Sequence, residues 1–228
     1  MKNIMIYVNP LDKKFDREHE ELTKMQIDNS LRLHWSLEDI LLITNFPYEY
    51  NGVTAIQVKD YAVFDQNRST KIPAINELFE RNSIGDDTYW FHDHDAFQLV
   101  PFDVALPTPA GFTNHGWSQK WNAGSFFFTK EARGIFRMIE EYMNVRNTNE
   151  QDALTYLWEH NIDEINQKCT LMNITYNINI YHIERNIKSA GEPLKVAHFH
   201  PHKKRHLDLF RTILPRELMD IYKIYGIE

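Results

Sequence analysis

The sequence lacks most of the features that mark secreted, membrane or nucleic-acid-binding proteins. Its 228 residues include one cysteine, Cys169, which excludes an internal disulfide framework and a cysteine-rich zinc module. No apolar run approaches the roughly 20 residues that a membrane-spanning helix needs, and the first residues turn polar too soon for a signal peptide. The formal net charge of −7 argues against general binding to nucleic acid or to membrane surfaces. These absences favour a globular protein of a reducing compartment such as the cytoplasm.

The residues that are present suit a packed core with alternating strands and helices. Hydrophobic residues make up 43% of the chain and aromatic residues 13%, with no internal repeat and no obvious linker, so we expect one domain over residues 1–228. In the first 95 residues the apolar pattern predicts strands at 4–8, 39–45, 53–60 and 87–93, and helices at 17–35 and 71–82. This order predicts an α/β fold with a mostly parallel central sheet flanked by helices.

The second half is less regular, and its expected elements are shorter. Thr148 and Gln151 match a capping box, which predicts a helix that starts at Asn149. The tail should be helical from Leu207 to Tyr225, broken by Pro215. The other expected elements are strands at 125–128, 174–183 and 195–200, and a helix at 130–143.

The first candidate site is Asp93-His94-Asp95, directly behind an apolar strand. In parallel sheets, ligands bind beyond the carboxyl ends of the strands, so this triplet should share a cleft with Val8-Asn9-Pro10. Two carboxylates that are two residues apart on an extended turn can both reach one hard cation, and Mg²⁺ or Mn²⁺ suits such oxygen ligands. A solvated turn is the alternative for an isolated triplet, but the position after a buried strand favours a functional site.

Two further motifs have structural explanations as well as functional ones. Asn122-Ala123-Gly124 precedes an apolar strand, where small residues let a ligand approach closely, although a tight turn explains them equally well. Glu150 and Asp152 lie in the first turn of an expected helix, where the helix dipole stabilises acidic residues. Their functional interpretation is a carboxylate at a cleft mouth that binds a sugar hydroxyl or accepts its proton.

The last motif spans residues 196–211 and holds four of the eleven histidines, together with Lys203, Lys204 and Arg205. A histidine at the end of a short strand can complete a metal shell, and nearby cations can neutralise a diphosphate. A basic surface loop is the alternative, but clustering in an acidic protein favours an anion site.

Taken in order, these motifs resemble the GT-A glycosyltransferases. That family combines a Rossmann-like nucleotide-binding half, a D-x-D metal motif after an apolar strand, a small-residue N-A-G strand, an acidic helix start and a late histidine near a basic segment. The resemblance covers roughly residues 1–210. It implies a GT-A fold, with residues 1–100 as the nucleotide-binding half and residues 101–228 as the sugar- and acceptor-binding half.

The resemblance also implies an activity and a role for each motif. The protein would transfer a sugar, in the manner of a hexosyltransferase, from a UDP- or GDP-type nucleotide sugar to a glycan hydroxyl, with Mn²⁺ or Mg²⁺. Small soluble members occur in bacteria and large viruses, which implies the cytoplasm of a bacterium or of an infected host cell. The metal ligands would be Asp93, Asp95 and His198, with Asp95 the firmer ligand and Asp93 contacting either ribose or the ion. The nucleotide and sugar contacts would be Val8, Asn9, Pro10, Asp60, Tyr61 stacking on the base, Lys71 reaching a phosphate from the helix start, Asn122, Ala123, Gly124, Lys203 and Lys204. The catalytic carboxylates would be Asp152 and Glu150.

Some features depart from the family pattern, and other functions remain open. After His198 there is no glycine matching the H-x-x-G-x-x-K-P-W form of one branch, so His198, His200 and His202 all remain candidate ligands. A zinc hydrolase using the histidine and aspartate cluster is one alternative. A nucleotidyltransferase is less favoured, because the segment after the first strand has no glycine. A non-catalytic nucleotide- or carbohydrate-binding module is a further alternative.

Overall fold

The computed structural model describes residues 1–61, 70–116, 120–181, 183–200 and 207–226, and a sheet of seven strands runs through them. The strands are β1 (Lys2–Tyr7), β2 (Ile40–Thr44), β3 (Glu49–Tyr50), β4 (Val53–Thr54), β5 (Ile56–Gln57), β6 (Tyr89–His92), β7 (Ala96–Gln98), β8 (Ala110–Asn114), β9 (Trp121–Phe128), β10 (Cys169–Leu171), β11 (Ile178–Asn179) and β12 (Val196–His198).

The seven-stranded sheet is mixed, with most of its pairs parallel. Its order is β10-β8-β9-β6-β1-β2-β5. β1 is parallel to β2 and β6, β2 to β5, and β10 to β8, whereas β9 is antiparallel to both of its neighbours. The predicted fold class, a mostly parallel central sheet flanked by helices, is confirmed.

A second sheet of three strands has the order β11-β12-β7. β12 runs parallel to β11 and antiparallel to β7, with His198 opposite Ala96. Because β7 follows β6 after a turn of three residues, this register carries a late segment of the chain to the carboxyl end of β6.

The helices cover both faces of the large sheet. They are α1 (Arg17–Arg32), α2 (Lys71–Glu80), α3 (Arg133–Arg146), α4 (Glu150–Glu159), α5 (Ile165–Lys168), α6 (Ile183–Ser189), α7 (Leu207–Phe210) and α8 (Ile221–Ile224), with 3-10 turns at Leu37–Asp39, Lys130–Ala132, Ile162–Glu164, Ile174–Tyr176 and Arg216–Leu218. In the described part of the chain, none of them combines the length and apolar character needed to cross a membrane.

The core follows the alternation of side chains along β1. Ile4 and Ile6 join a cluster that packs against α2, α3 and α4, whereas Met5 and Tyr7 join a second cluster on the α1 side. Both sets are buried, as expected for a strand in the middle of a sheet that is covered on both faces. Such a sheet presents its strand ends, rather than its faces, to ligands.

Several expected boundaries are wrong, and side-chain hydrogen bonds explain two of them. The segment 174–183 alternates like a strand, but the Asn173 side chain accepts a hydrogen bond from the Thr175 N–H and starts a 3-10 turn, which leaves only β11 extended. α4 is capped by Asn149, whose side chain accepts from the Asp152 N–H at 2.9 Å, so its cap lies one residue after the predicted Thr148.

We predict that Phe136→Ala in α3 costs about 3–5 kcal/mol of unfolding free energy. Its ring is fully buried and contacts the rings of Phe79, Phe112, Phe126 and Phe128, so truncation leaves a cavity between α3 and the sheet. Val145→Ala is the matched control, because this side chain in the same helix is 80% exposed and should change stability by less than about 0.5 kcal/mol. Denaturant unfolding measures both, and equal losses would contradict this packing.

Candidate functional site

Asp93 and Asp95 lie in the turn between β6 and β7, which main-chain hydrogen bonds hold from two sides. The Asp93 N–H donates to the carbonyl of Gly124 at 2.8 Å, and the Phe199 N–H donates to the carbonyl of Asp95 at 2.9 Å. The turn is therefore fixed by β9 on one side and by the residue after β12 on the other. The two carboxylates remain 31% and 20% exposed, so they reach the surface of the site.

His198 lies against both carboxylates. Its Nε2 is 3.2 Å from Asp95 Oδ1 and 3.9 Å from Asp93 Oδ2, and its side chain is buried. The structure therefore brings together the three residues that the resemblance implies as metal ligands. A neutral imidazole nitrogen and two carboxylates are a donor set that Mn²⁺ and related divalent ions accept.

Asn177, which the sequence analysis did not single out, sets the orientation of this imidazole. Its Oδ1 is 2.9 Å from His198 Nδ1, and its Nδ2 donates to Thr113 Oγ1 at 2.8 Å and to the Asn122 carbonyl at 3.4 Å. Because the carbonyl can only accept, the amide oxygen faces the histidine and receives its Nδ1 hydrogen. This tautomer leaves the Nε2 lone pair pointing at the carboxylates, an arrangement typical of metal-binding histidines.

Gly124 is small for a reason other than the predicted tight turn or an approaching ligand. It lies within β9, and a Cβ built on it would overlap Cε1 and Nδ1 of His198. The imidazole therefore lies directly against the β9 backbone. Part of the space left by the N-A-G motif is filled by the protein's own histidine.

Only some of the other residues in the late histidine motif, residues 196–211, lie in the described part of the chain. His200 offers a nitrogen that forms one possible metal-binding group with Asp95 and His198. The predicted phosphate ligands Lys203 and Lys204, and the alternative ligand His202, lie outside the described residues.

Lys71 forms a buried charge network with two of the predicted acidic residues. Its Nζ lies 2.7 Å from Asp93 Oδ1 and 3.4 Å from Glu150 Oε1, and donates to the Ala123 carbonyl at 3.2 Å. Burial alone lowers the pKa of Lys71, but the two carboxylates outweigh it and raise that pKa to about 12. These contacts use the three N–H donors of the ammonium. Lys71 therefore orients Asp93 rather than binding a phosphate.

The two carboxylates of the triplet have opposite pKa shifts. Burial raises the pKa of Asp93 above its usual value, although Lys71 and His198 oppose the shift. Burial acts in the same direction on Asp95, but His198, when it is protonated, outweighs burial through its charge and its hydrogen bond, and this holds the pKa of Asp95 well below its usual range. Asp95 is therefore the more readily ionised member of the pair.

The two predicted catalytic carboxylates point in different directions from α4. Residues two apart lie roughly 200° apart around a helix axis, and Glu150 is buried against Lys71 whereas Asp152 is 45% exposed. Asp152 Oδ1 lies 2.7 Å from Lys120 Nζ. Glu150 is therefore part of the charge network beneath the triplet, whereas Asp152 lies at the surface.

The predicted nucleoside-binding residues meet around Asn45, a second asparagine missed in the sequence. Asn45 Nδ2 donates to the Asn9 carbonyl at 2.9 Å and to Asp60 Oδ1 at 2.7 Å, and its Oδ1 accepts from the Asn9 N–H at 2.9 Å. Its position directly after β2 was a usable signal, because the same rule had selected the residues after β1 and β6.

The other predicted nucleoside-binding residues are less accessible to a ligand. Val8 is buried in the core, and Pro10 is partly exposed. The hydroxyl of Tyr61 contacts Glu77, and its ring packs partly against the core on the α2 side.

His92 and His94 face away from the site. The nitrogens of His92 contact the Asn3 side chain and the Asp93 carbonyl, and those of His94 contact Thr23 Oγ1 and the Ile6 carbonyl. Burial lowers the pKa of His92 to about 4 and that of His94 to about 3. Since all four nitrogens have protein partners, the geometry does not favour a zinc site built on the H-x-H pair.

Solved glycosyltransferase structures share this fold. The galactosyltransferase LgtC, crystallised with donor and acceptor sugar analogues, superposes on 97% of this chain and 100% of its own, with 15% identity and a TM-score of 0.60. GlyE from Streptococcus pneumoniae TIGR4 superposes on 99% of this chain, with 15% identity and a TM-score of 0.59, and this chain spans 62% of its length. A glycosyltransferase involved in glycosylation of the major capsid of PBCV-1 gives 93% and 99% coverage, 15% identity and a TM-score of 0.53.

No protein-family model matches the sequence, and no curated protein matches it. At these identities the structural likeness establishes the fold, and it confirms the GT-A fold that the motif order predicted.

We predict that Gly124→Ala destabilises the protein by about 1–3 kcal/mol, the usual cost of overpacking. The added methyl group would overlap the His198 ring, which β12 and Asn177 hold in place. Gly134→Ala in α3 is the control, because its Cβ would meet no atom within 4 Å, and it should stabilise the helix by about 0.5–1 kcal/mol. Denaturant unfolding should therefore show a lower unfolding free energy for Gly124→Ala and a higher one for Gly134→Ala. A Gly124→Ala protein as stable as the wild type would mean that the imidazole has room to move.

Proposed function

We propose that this protein is a metal-dependent glycosyltransferase that moves a sugar from a nucleoside-diphosphate sugar to an acceptor, most simply a glycan hydroxyl. The observation that carries the proposal is the convergence of Asp93, Asp95 and His198 at the carboxyl end of β6. The same fold is found in glycosyltransferases, including one crystallised with donor and acceptor sugar analogues. Fold alone does not assign chemistry, so the residues at the strand end carry the argument.

In this proposal Asp93, Asp95 and His198 hold Mn²⁺ or Mg²⁺. A bound divalent ion would neutralise the negative charge that develops on the diphosphate as the sugar leaves. The chain's own residues prepare the three ligands. Lys71 holds one oxygen of Asp93 and leaves the other facing His198, and Asn177 keeps the Nε2 lone pair of His198 available.

Residues 1–100 would supply most of the nucleotide contacts. Asn9 and Asp60, joined by Asn45, lie after β1 and β5, on the same edge of the sheet as Asp93. The Asp60 carboxylate, with one oxygen on Asn45 and the other 2.9 Å from Lys13 Nζ, would accept hydrogen bonds from ribose hydroxyls. Tyr61 would contact the base.

Residues 101–228 would supply the sugar and acceptor contacts. The Asn122 Nδ2 is buried and has no hydrogen-bond partner among the described residues, and a sugar hydroxyl or phosphate oxygen would satisfy it. Asp152, at the start of α4, would bind or deprotonate the acceptor hydroxyl. Glu150 would act through Lys71, as a positioning residue.

We predict that wild-type protein binds a nucleoside diphosphate in the presence of Mn²⁺ and that Asp95→Asn weakens this binding on the order of 10–100-fold. The substitution keeps the side-chain shape but removes the ionised ligand. Calorimetry with a panel that includes UDP and GDP measures the affinity. Asp220→Asn is the matched control, since this carboxylate is exposed and pairs only with Lys223 among the described residues. Failure of the wild type to bind any nucleoside diphosphate would overturn the proposal.

We predict that Asp152→Asn lowers the rate of sugar transfer about 10²–10⁴-fold, the range of a general base, while nucleotide affinity stays within about twofold. Lys120→Met is the matched control: it removes the same ion pair but leaves the carboxylate, so transfer should persist. Single-turnover transfer and nucleotide calorimetry separate the two effects. Parallel loss of affinity and rate in Asp152→Asn would assign this residue a structural role.

A further inference from the structure

A second histidine, His200, lies beside the proposed metal ligands. One ligand atom from each of Asp95, His198 and His200 lies within 4.8 Å of the other two. Donor atoms about 2.1 Å from a shared ion lie about 3–4 Å from one another. The three donors must therefore move closer together to share one ion, and Asp93, which is not part of this group, has its Oδ2 3.9 Å from His198 Nε2.

The local backbone explains how two histidines reach the same side. Phe199 points into the core, and the chain leaves the extended conformation at His200, whose ring lies beside that of His198. Phe199 is fully buried, with its ring centroid 5.8 Å from that of Phe97 and 4.7 Å from that of Phe210. The two imidazole centroids lie 3.8 Å apart.

The conformation of His200 is itself unusual. Its φ is +46°, in the left-handed region that residues other than glycine rarely adopt. Here the buried Phe199 and the bond from its N–H to the Asp95 carbonyl hold the preceding residue.

We infer that His200 is a fourth metal ligand and that the site therefore selects a first-row transition ion such as Mn²⁺ or Co²⁺ over Mg²⁺. The inference rests on the proposed function in taking Asp93, Asp95 and His198 as the other ligands. Imidazole suits transition ions, whereas Mg²⁺ prefers a shell of oxygen ligands and retains several waters. With one histidine both classes of ion remain acceptable, but two nitrogen donors among four ligands disfavour Mg²⁺.

Pulsed electron paramagnetic resonance of the Mn²⁺-loaded protein tests the inference, because modulation from ¹⁴N counts the coordinated imidazoles. The wild type should show two, and His200→Asn should show one. Asparagine tolerates a positive φ, so this variant keeps the backbone conformation. His34→Asn is the matched control, because His34 is exposed and has a φ of +69°, and it should retain two imidazoles.

Equilibrium dialysis provides a second measurement that does not depend on activity. His200→Asn should weaken the binding of Mn²⁺ and Co²⁺ by at least about 10–100-fold, the range seen when an outer-shell partner of a metal ligand is lost. The affinity for Mg²⁺ should change much less. A single imidazole in the wild type, no Mn²⁺ binding, or equal loss for Mg²⁺ and Mn²⁺ would each overturn the inference.

The inference and the proposed function can fail separately. Two coordinated imidazoles in a protein that binds no nucleoside diphosphate would support the four-ligand site and overturn glycosyl transfer. Metal-dependent nucleotide binding with one coordinated imidazole in both wild type and His200→Asn would support the proposed glycosyltransferase and overturn the four-ligand site.

Discussion

The imidazole of His198 lies in the space that a side chain on Gly124 would fill, and the rest of the site depends on this contact. It requires a glycine inside β9, a strand whose other residues, apart from Ala123, are aromatic or polar. It also requires β12 to pair with β7 in the register that places His198 opposite Ala96. A shift of one residue would turn the histidine to the other face of the strand. Main-chain register, rather than a flexible loop, therefore brings the histidine to the carboxylates.

A second constraint is the balance of buried charge beneath the triplet. Asp93 and Glu150 are drawn from distant parts of the chain, and Lys71 lies between them. Removing one partner of a buried ion pair is costly because the remaining charge is left uncompensated. The network therefore links α2, the turn after β6 and α4, and it fixes which oxygen of Asp93 stays available. That link connects the packing of two helices to the geometry of the proposed metal ligands.

The sequence was informative where function follows from position on a single strand. The carboxylates after Tyr89–His92 were identified because a buried apolar strand that ends in acidic residues is unusual, and the GT-A fold followed from the order of the motifs. Asn177 was missed because its partners, Thr113 and His198, lie on strands far away in the chain, whereas Asn45 was missed although its position after β2 was a usable signal. Lys71 was found but misinterpreted: a lysine at a helix start suggests a phosphate, and only the folded chain shows it against two carboxylates. The predicted strand over 174–183 was wrong because apolar alternation does not reveal that an asparagine side chain will accept a hydrogen bond from a backbone N–H and start a turn.

The charges around the triplet support the proposed cation site. In the described part of the chain, Asp93, Asp95 and Glu150 contribute three negative charges and Lys71 one positive charge, so with neutral histidines the cluster carries a net charge of −2. Asp152 does not alter this balance, because Lys120 pairs with it at the surface. A divalent ion would neutralise the cluster, and a diphosphate would then meet a site without net repulsion. If Lys71 instead bound the diphosphate directly, it would leave the half-buried Asp93 and the buried Glu150 facing an anion. The arrangement therefore favours a division of roles in which Lys71 stabilises the carboxylate ligand and the proposed ion would contact the phosphates.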